Sequence, residues 1–222
     1  MHDLTPPDCL RGRHPPLSRA TLAIAEEVRG MSVAAADHQG PWTLDDVLAL
    51  PEDTRSRIEL VGGSLVMSPS PGVPHQRASR RLAALLEAAA DAAGAPVEIL
   101  EAINLVVPDG LLIPDIAVCD ADAAADAGLT VSAHDVLLVV EIASPSTRVT
   151  DRKMKPALYA AAGIAHYWRL ELEPAPRLYL GELENGCYLD RLVQAAETTA
   201  VERPFPIDID PGVLAHRRAP EQ

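Results

Sequence analysis

The order of apolar patterns along this chain predicts a mixed α/β fold: a helix, three strands, a second helix and a fourth strand. Three observations carry that prediction. An apolar repeat of helical period runs from His75 to Ala93, and a second helical stretch runs from Thr150 to Ala162. Extended runs lie between them, the last being Val136 to Ala143, nearly continuous in apolar residues as a strand covered on both faces requires. A hairpin signal at Gly62-Gly63 precedes this order and further β pieces follow it, which adds an N-terminal hairpin and C-terminal β additions. With 48% apolar residues, 222 residues can bury a sizeable core, but two Trp, four Tyr and one Phe leave that core aliphatic.

Taken in order, residues 1–40 have no sustained period and read as a disordered or weakly helical extension, within which Met31 offers an alternative start. Residues 41–215 read as one domain, and 216–222 as a tail. Pro41 to Leu50 opens a short amphipathic helix, with Thr43 as N-cap and Asp46 three residues on. Arg57 to Ser68 gives two short strands around the glycine pair, and Pro69 to Pro74 a rigid loop. His75 to Ala93 follows, with Leu82, Leu85 and Leu86 on one face. Val97 to Val107 and Leu111 to Cys119 are expected as two strands joined by a Pro108-Asp109-Gly110 turn. After Val136 to Ala143, the second helix ends at Gly163 and a strand spans His166 to Leu172. Arg177 to Asp210 reads as a hairpin around Glu184-Asn185-Gly186 with short edge pieces.

The net charge of −13 is unevenly placed. From Leu82 to Thr147 no Lys or Arg occurs, and Glu87, Asp91, Glu98, Glu101, Asp109, Asp115, Asp120, Asp122, Asp126, Asp135 and Glu141 all fall there. Arg77, Arg80 and Arg81 stand just before this block; Arg148, Arg152, Lys153 and Lys155 stand just after it. Either this is a solvated acidic face, or it is a metal-binding centre whose rims hold a phosphate backbone. Lys153 and Lys155 are the two lysines among nineteen cations, and a compact ammonium has chemistry that a guanidinium lacks. Cys9, Cys119 and Cys187 lie far apart, are odd in number and form no CxxC pair, so neither a disulfide framework nor a zinc knuckle is supported. The apolar runs are too short to span a bilayer and the first thirty residues lack a signal-peptide core, which leads to the expectation of a soluble, cytoplasmic protein.

Two acids interrupt apolar strands: Asp115, after Pro114, and Glu141, inside the most apolar run of the chain. An unpaired buried carboxylate is costly, so each needs a partner. Carboxylates at the ends of neighbouring strands can share a hard cation, Mg²⁺ or Mn²⁺ rather than zinc. A nearby ammonium then positions water for attack on phosphorus. In the alternative, Glu141 pairs with an arginine such as Arg148 and Asp115 caps a turn.

The pattern as a whole resembles the PD-(D/E)XK nuclease core, whose αβββαβ order matches the one read above. More closely, the chain resembles the Uma-two family of restriction-endonuclease-like proteins. The matching stretches are Trp42-Thr43-Leu44-Asp45-Asp46, Glu59-Leu60-Val61-Gly62-Gly63, Ser68-Pro69 with His75, Pro114-Asp115, Glu141 through Thr147, Asp151 with Lys155, Tyr159 and Gly163, and Tyr167-Trp168. The resemblance implies a restriction-endonuclease-like fold and a Mg²⁺- or Mn²⁺-dependent endonuclease acting on DNA. Asp115 and Glu141 would be metal ligands, with Ile142 adding a backbone carbonyl. The usual ExK lysine is Ala143 here, so the ammonium would come from Lys155, although Pro156 disfavours helical geometry at that residue. Glu59 is either a third acid at the metal or an exposed strand carboxylate. His75 either touches phosphate and carries a proton or only hydrogen-bonds its loop. Arg77, Arg80 and Arg81 either contact phosphate or form a solvated helix face. Asp151 is expected to pair with Lys155, and Ser144, Ser146 and Thr147 to shape the turn after Glu141. A homodimer is compatible with an open sheet edge. The competing expectation is a catalytically silent nuclease fold that binds nucleic acid or a protein partner.

Overall fold

A computed structural model describes residues 38–50, 56–144 and 150–215, the first two residues of the last span by backbone alone. The expectations placed on residues 1–37, Ser146, Thr147, Arg148, the Asp151 side chain and 216–222 lie outside it. The described chain opens with α1 (Leu44–Leu48), whose Thr43 cap and Asp46 form a reciprocal capping box. A tight hairpin follows, β1 (Ser56–Val61) and β2 (Ser64–Pro69), turning at Gly62 and Gly63, both with positive φ. The long helix α2 (Val73–Ala93) buries Ala78, Leu82, Ala83, Leu86 and Ala90, and stops at a left-handed Gly94.

The next segment departs from the expected pair of strands. Four are formed instead: β3 (Val97–Glu101), β4 (Leu105–Val107), β5 (Gly110–Leu112) and β6 (Ile116–Asp120). Ala102, at φ +54°, turns the chain out of line after β3. Pro114, which has no N–H for a ladder, interrupts the return before β6. As a result β3 pairs with β6, while β4 and β5 form their own hairpin and join β1. Helix α3 (Ala121–Asp126) and β7 (Val131–Ser132) lead to β8 (Val136–Ala143), which matches the expected bounds.

After β8 comes a π-type turn (Thr150–Met154) that continues into α4 (Lys155–Ala161). Pro156 lies in the first turn of α4, where the π-type turn gives way to α geometry and the missing N–H is tolerated. Gly163 ends the segment in the left-handed region. Strands β9 (His166–Glu171), β10 (Arg177–Glu184), β11 (Cys187–Gln194), β12 (Thr199–Val201) and β13 (Ile207–Ile209), with α5 (Gly212–Ala215), complete the chain.

Three sheets result: β2-β1-β5-β4-β7, β11-β10-β9-β8-β6-β3, and β12-β13. Within the six-stranded sheet, α2, β3, β6, β8, α4 and β9 supply the predicted αβββαβ order, with β8 and β9 parallel and the other pairs antiparallel. One face packs Ile116, Val118, Val140, Ile142, Trp168 and Leu170 against Leu82 and Leu86 of α2. The other packs Ala117, Cys119, Val139 and Tyr167 against Tyr159 of α4 and Ile164. Both faces of β8 are therefore covered, which explains its continuous apolar run. The tyrosines of this second face are core residues, with Tyr159 and Tyr167 fully buried.

Candidate active site

The detour through β4 and β5 determines where Asp115 lies. It is the residue at which the chain leaves the hairpin sheet and enters β6, so it faces both sheets. Asp115 is 3% exposed. Its Oδ1 accepts from Arg57 of β1, and its Oδ2 accepts from the backbone N–H of Ile142 at 2.8 Å and lies 3.0 Å from His75 Nε2. Burial opposes its charge, but His75 and Arg57 outweigh that and hold its pKa below the ordinary carboxylate value.

Glu141 lies on the α4 face of β8, since Val140 and Ile142 on either side of it point to α2. It is also 3% exposed, and its Oε1 accepts from Lys155 Nζ at 2.9 Å and from the Tyr159 hydroxyl at 2.7 Å. Lys155 reaches a second acid as well, Glu59 of β1, at 2.9 Å. Glu59 in turn accepts from the Ile113 N–H at 2.8 Å, which fixes the hairpin against the β5–β6 connection. The ammonium thus bridges an acid from each large sheet. Burial alone would discharge it; Glu141 and Glu59 reverse that and raise its pKa above the ordinary lysine value. Burial, then the same two carboxylates, raises the pKa of Tyr159, which stays a neutral donor.

Asp115, Glu141, Lys155, Glu59 and His75 all line one cleft of about 140 Å³, closed on one side by the Ser68–Gly72 loop that precedes α2. Ala143 follows Glu141 on the same face, so the helix-borne Lys155 reaches the carboxylate that a lysine at 143 would have flanked. Lys155 pairs with Glu141 and Glu59, and Ser144 lines the cleft mouth. The structure does not bring the α2 arginines there. Arg77 and Arg80 are exposed outside the cleft, and Arg81 donates to the carbonyls of Val213 and Leu214, holding α5 against α2. The residue that sequence reading missed is Arg57. It stood in the predicted hairpin two residues before Glu59, and that period-two spacing, which puts both on one strand face, was its available signal.

Fold and cleft together place the chain among proteins with a restriction-endonuclease-like core. It belongs to the Uma-two family: the Uma2 model, described as "Putative restriction endonuclease", matches residues 44–215. Among solved structures it is similar to a protein from Anabaena variabilis ATCC 29413 titled as a putative nuclease belonging to DUF820. The TM-score is 0.62 at 16% identity, covering 74% of this chain and 90% of that one. At that identity the likeness is one of fold. No curated protein matches the sequence.

Proposed function

We propose that this protein is a divalent-metal-dependent endonuclease that hydrolyses phosphodiester bonds of DNA. The observation that carries the reading is the meeting of Asp115, Glu141 and the Lys155 ammonium around one cleft. The donor chemistry fits a hard cation. Asp115, Glu141 and the Ile142 carbonyl offer only oxygen, and Asp115 is kept ionised. Leaving His75 aside, the carboxylates Glu59, Asp115 and Glu141 outnumber the cations Arg57 and Lys155 by one. Among the described residues no three His, Cys, Asp or Glu side chains form a ready-made metal cluster, so water would fill the remaining positions of Mg²⁺ or Mn²⁺. Such an ion supplies Lewis acidity at phosphorus and lowers the pKa of bound water.

The chain's own residues have distinct tasks. Lys155, held protonated, donates to the attacking water and to the charge developing on phosphate; it does not act as a base. Tyr159 and Glu59 hold it and Glu141 in place. His75 presents Nε2 to Asp115 and so orients that carboxylate at the cleft wall. Arg57, 27% exposed against 15% for His75, is the more accessible side-chain partner of Asp115 and would be free to meet a phosphate oxygen if a cation took that carboxylate.

With Mg²⁺ or Mn²⁺, purified protein is expected to nick or linearise plasmid DNA, and Asp115→Ala and Glu141→Ala are each expected to abolish cutting. Cutting that survives both changes overturns the reading. A second reading, the silent nucleic-acid- or protein-binding module, is favoured by Ala143; it predicts binding without cutting under any divalent ion.

A further inference from the structure

A second charged cluster lies one strand along from the cleft. Glu171 ends β9, is 1% exposed, and accepts from three arginines. Arg152 of the π-type turn donates through Nε at 2.8 Å and Nη2 at 2.7 Å, Arg169 through Nε at 3.2 Å, and Arg177 of β10 through Nη2 at 3.1 Å. One carboxylate offsets one of three positive charges. Asp190, 3.7 Å from Arg169, offsets part of another. A net charge of at least +1 remains, in a protein of net charge −13.

That surplus faces outward. Arg169 is buried, stacked 4.1 Å from the Tyr179 ring, but Arg152 and Arg177 are 42% and 33% exposed. The Nε of Arg177 is buried and lacks a partner, while its Nη2 is held by Glu171. A network serving stability alone needs one arginine against Glu171, and Arg169 already fills that role from within the sheet. Position supplies the second argument. In the parallel β8–β9 pair, Glu141 is opposite Arg169 and Ala143 is opposite Glu171, so the cluster shares the α4 face with the cleft. Glu171 lies about 8 Å from Glu141 along that face, from strand spacing and rise.

We infer that Arg152 and Arg177, backed by Arg169, form a phosphate-binding site that engages a backbone phosphate beside the one held in the cleft. The nucleic-acid part of this inference rests on the nuclease reading; the anion site itself does not. Two guanidiniums facing solvent suit a phosphate diester, which accepts forked donors. In an Arg152→Gln/Arg177→Gln double variant Arg169 still pairs with Glu171, so the fold is expected to survive.

The full chain, free of divalent ions, is titrated with a labelled DNA duplex over a series of salt concentrations. The double variant is expected to bind about tenfold more weakly at low salt, with the slope of log K against log salt reduced by about 1 to 2; Arg152→Lys/Arg177→Lys is expected to restore most of the slope. In parallel, inorganic phosphate is expected to raise the melting temperature of wild type more than that of the double glutamine variant. An unchanged slope together with an unchanged phosphate response overturns the inference, even if the wild type cleaves DNA. A phosphate response lost in the variant sustains the anion site even if Asp115→Ala shows the cleavage reading to be wrong.

Discussion

Lys155 is the residue on which the cleft's electrostatics turn, because among the described residues it alone joins an acid of the hairpin to an acid of the central sheet. Removing its charge leaves Glu59 and Glu141 buried and facing each other. Lys155→Met is therefore expected to lower unfolding stability by ~3–5 kcal/mol near neutral pH, the range for one partner of a buried pair. Urea denaturation of both proteins at pH 7.5 measures this, and a deficit under 1 kcal/mol would show that the ammonium bridges nothing of consequence. Asp115 and Glu141 were legible in the sequence because a charge inside an apolar strand stands out against its neighbours, whereas Lys155 was reached only through the family resemblance. Arg57 was not, because an arginine on an edge hairpin looks like any solvated strand residue until the partner across the gap is known. For the same reason Arg81 read as either a phosphate contact or part of a solvated helix face: nothing local reveals that its donors meet the carbonyls of α5.

Among the elements, the β1–β5 contact matters most, since it is how the hairpin delivers Arg57 and Glu59 to the cleft. Val61 pairs with Gly110 and Leu60 with Leu111. Gly110 is needed there: a Cβ on it would lie 1.9 Å from the Leu60 carbonyl oxygen, which no side chain can accommodate. Gly110→Ala is expected to separate β1 from β5, to destabilise by at least about 2 kcal/mol, and to depress any activity through loss of the Glu59–Lys155 pair. Gly128→Ala, with open space around the new methyl, is the control and is expected to change stability by less than about 0.5 kcal/mol. Thermal unfolding of the three proteins decides it, and equal melting temperatures would show that β1 is not held through Gly110. This contact also marks the limit of sequence reading. The turn at Pro108-Asp109-Gly110 was plain, but a pattern of apolar residues cannot say which sheet a strand joins. Two long strands were expected where Ala102 and Pro114 divide them into four, and that division puts Asp115 between the sheets.

Across the whole molecule the strongly paired acids and the buried basic-range groups shift in opposite directions. Lys155, Tyr159 and Cys119 all have raised pKa values, Cys119 pushed up to about 12 by burial and by Glu98 and Asp135. In the unfolded chain these groups release protons near their ordinary values of 10.5, 10.0 and 9.0, whereas the fold retains them. The folded state then binds more protons than the unfolded one, and stability falls as pH rises from about 9. At the acid end Asp115 and Glu171 have lowered pKa values: burial opposes their charge, but His75 and Arg57 at the one, and Arg152 and Arg169 at the other, prevail. Their contribution is complete above the ordinary values of 3.8 and 4.5 and is lost as pH falls through the lowered ones. Buried His166, its pKa lowered chiefly by burial, favours the fold only while neutral, so the metal-free protein is expected to be most stable between about pH 7 and 8.5, with the urea midpoint falling on both sides. Lys155→Met should flatten the alkaline limb, because the variant has no ammonium to lose. A wild-type midpoint that stays level from pH 8 to 11 would mean that this lysine is not held by its two acids, and the charge balance of the cleft would have to be redrawn.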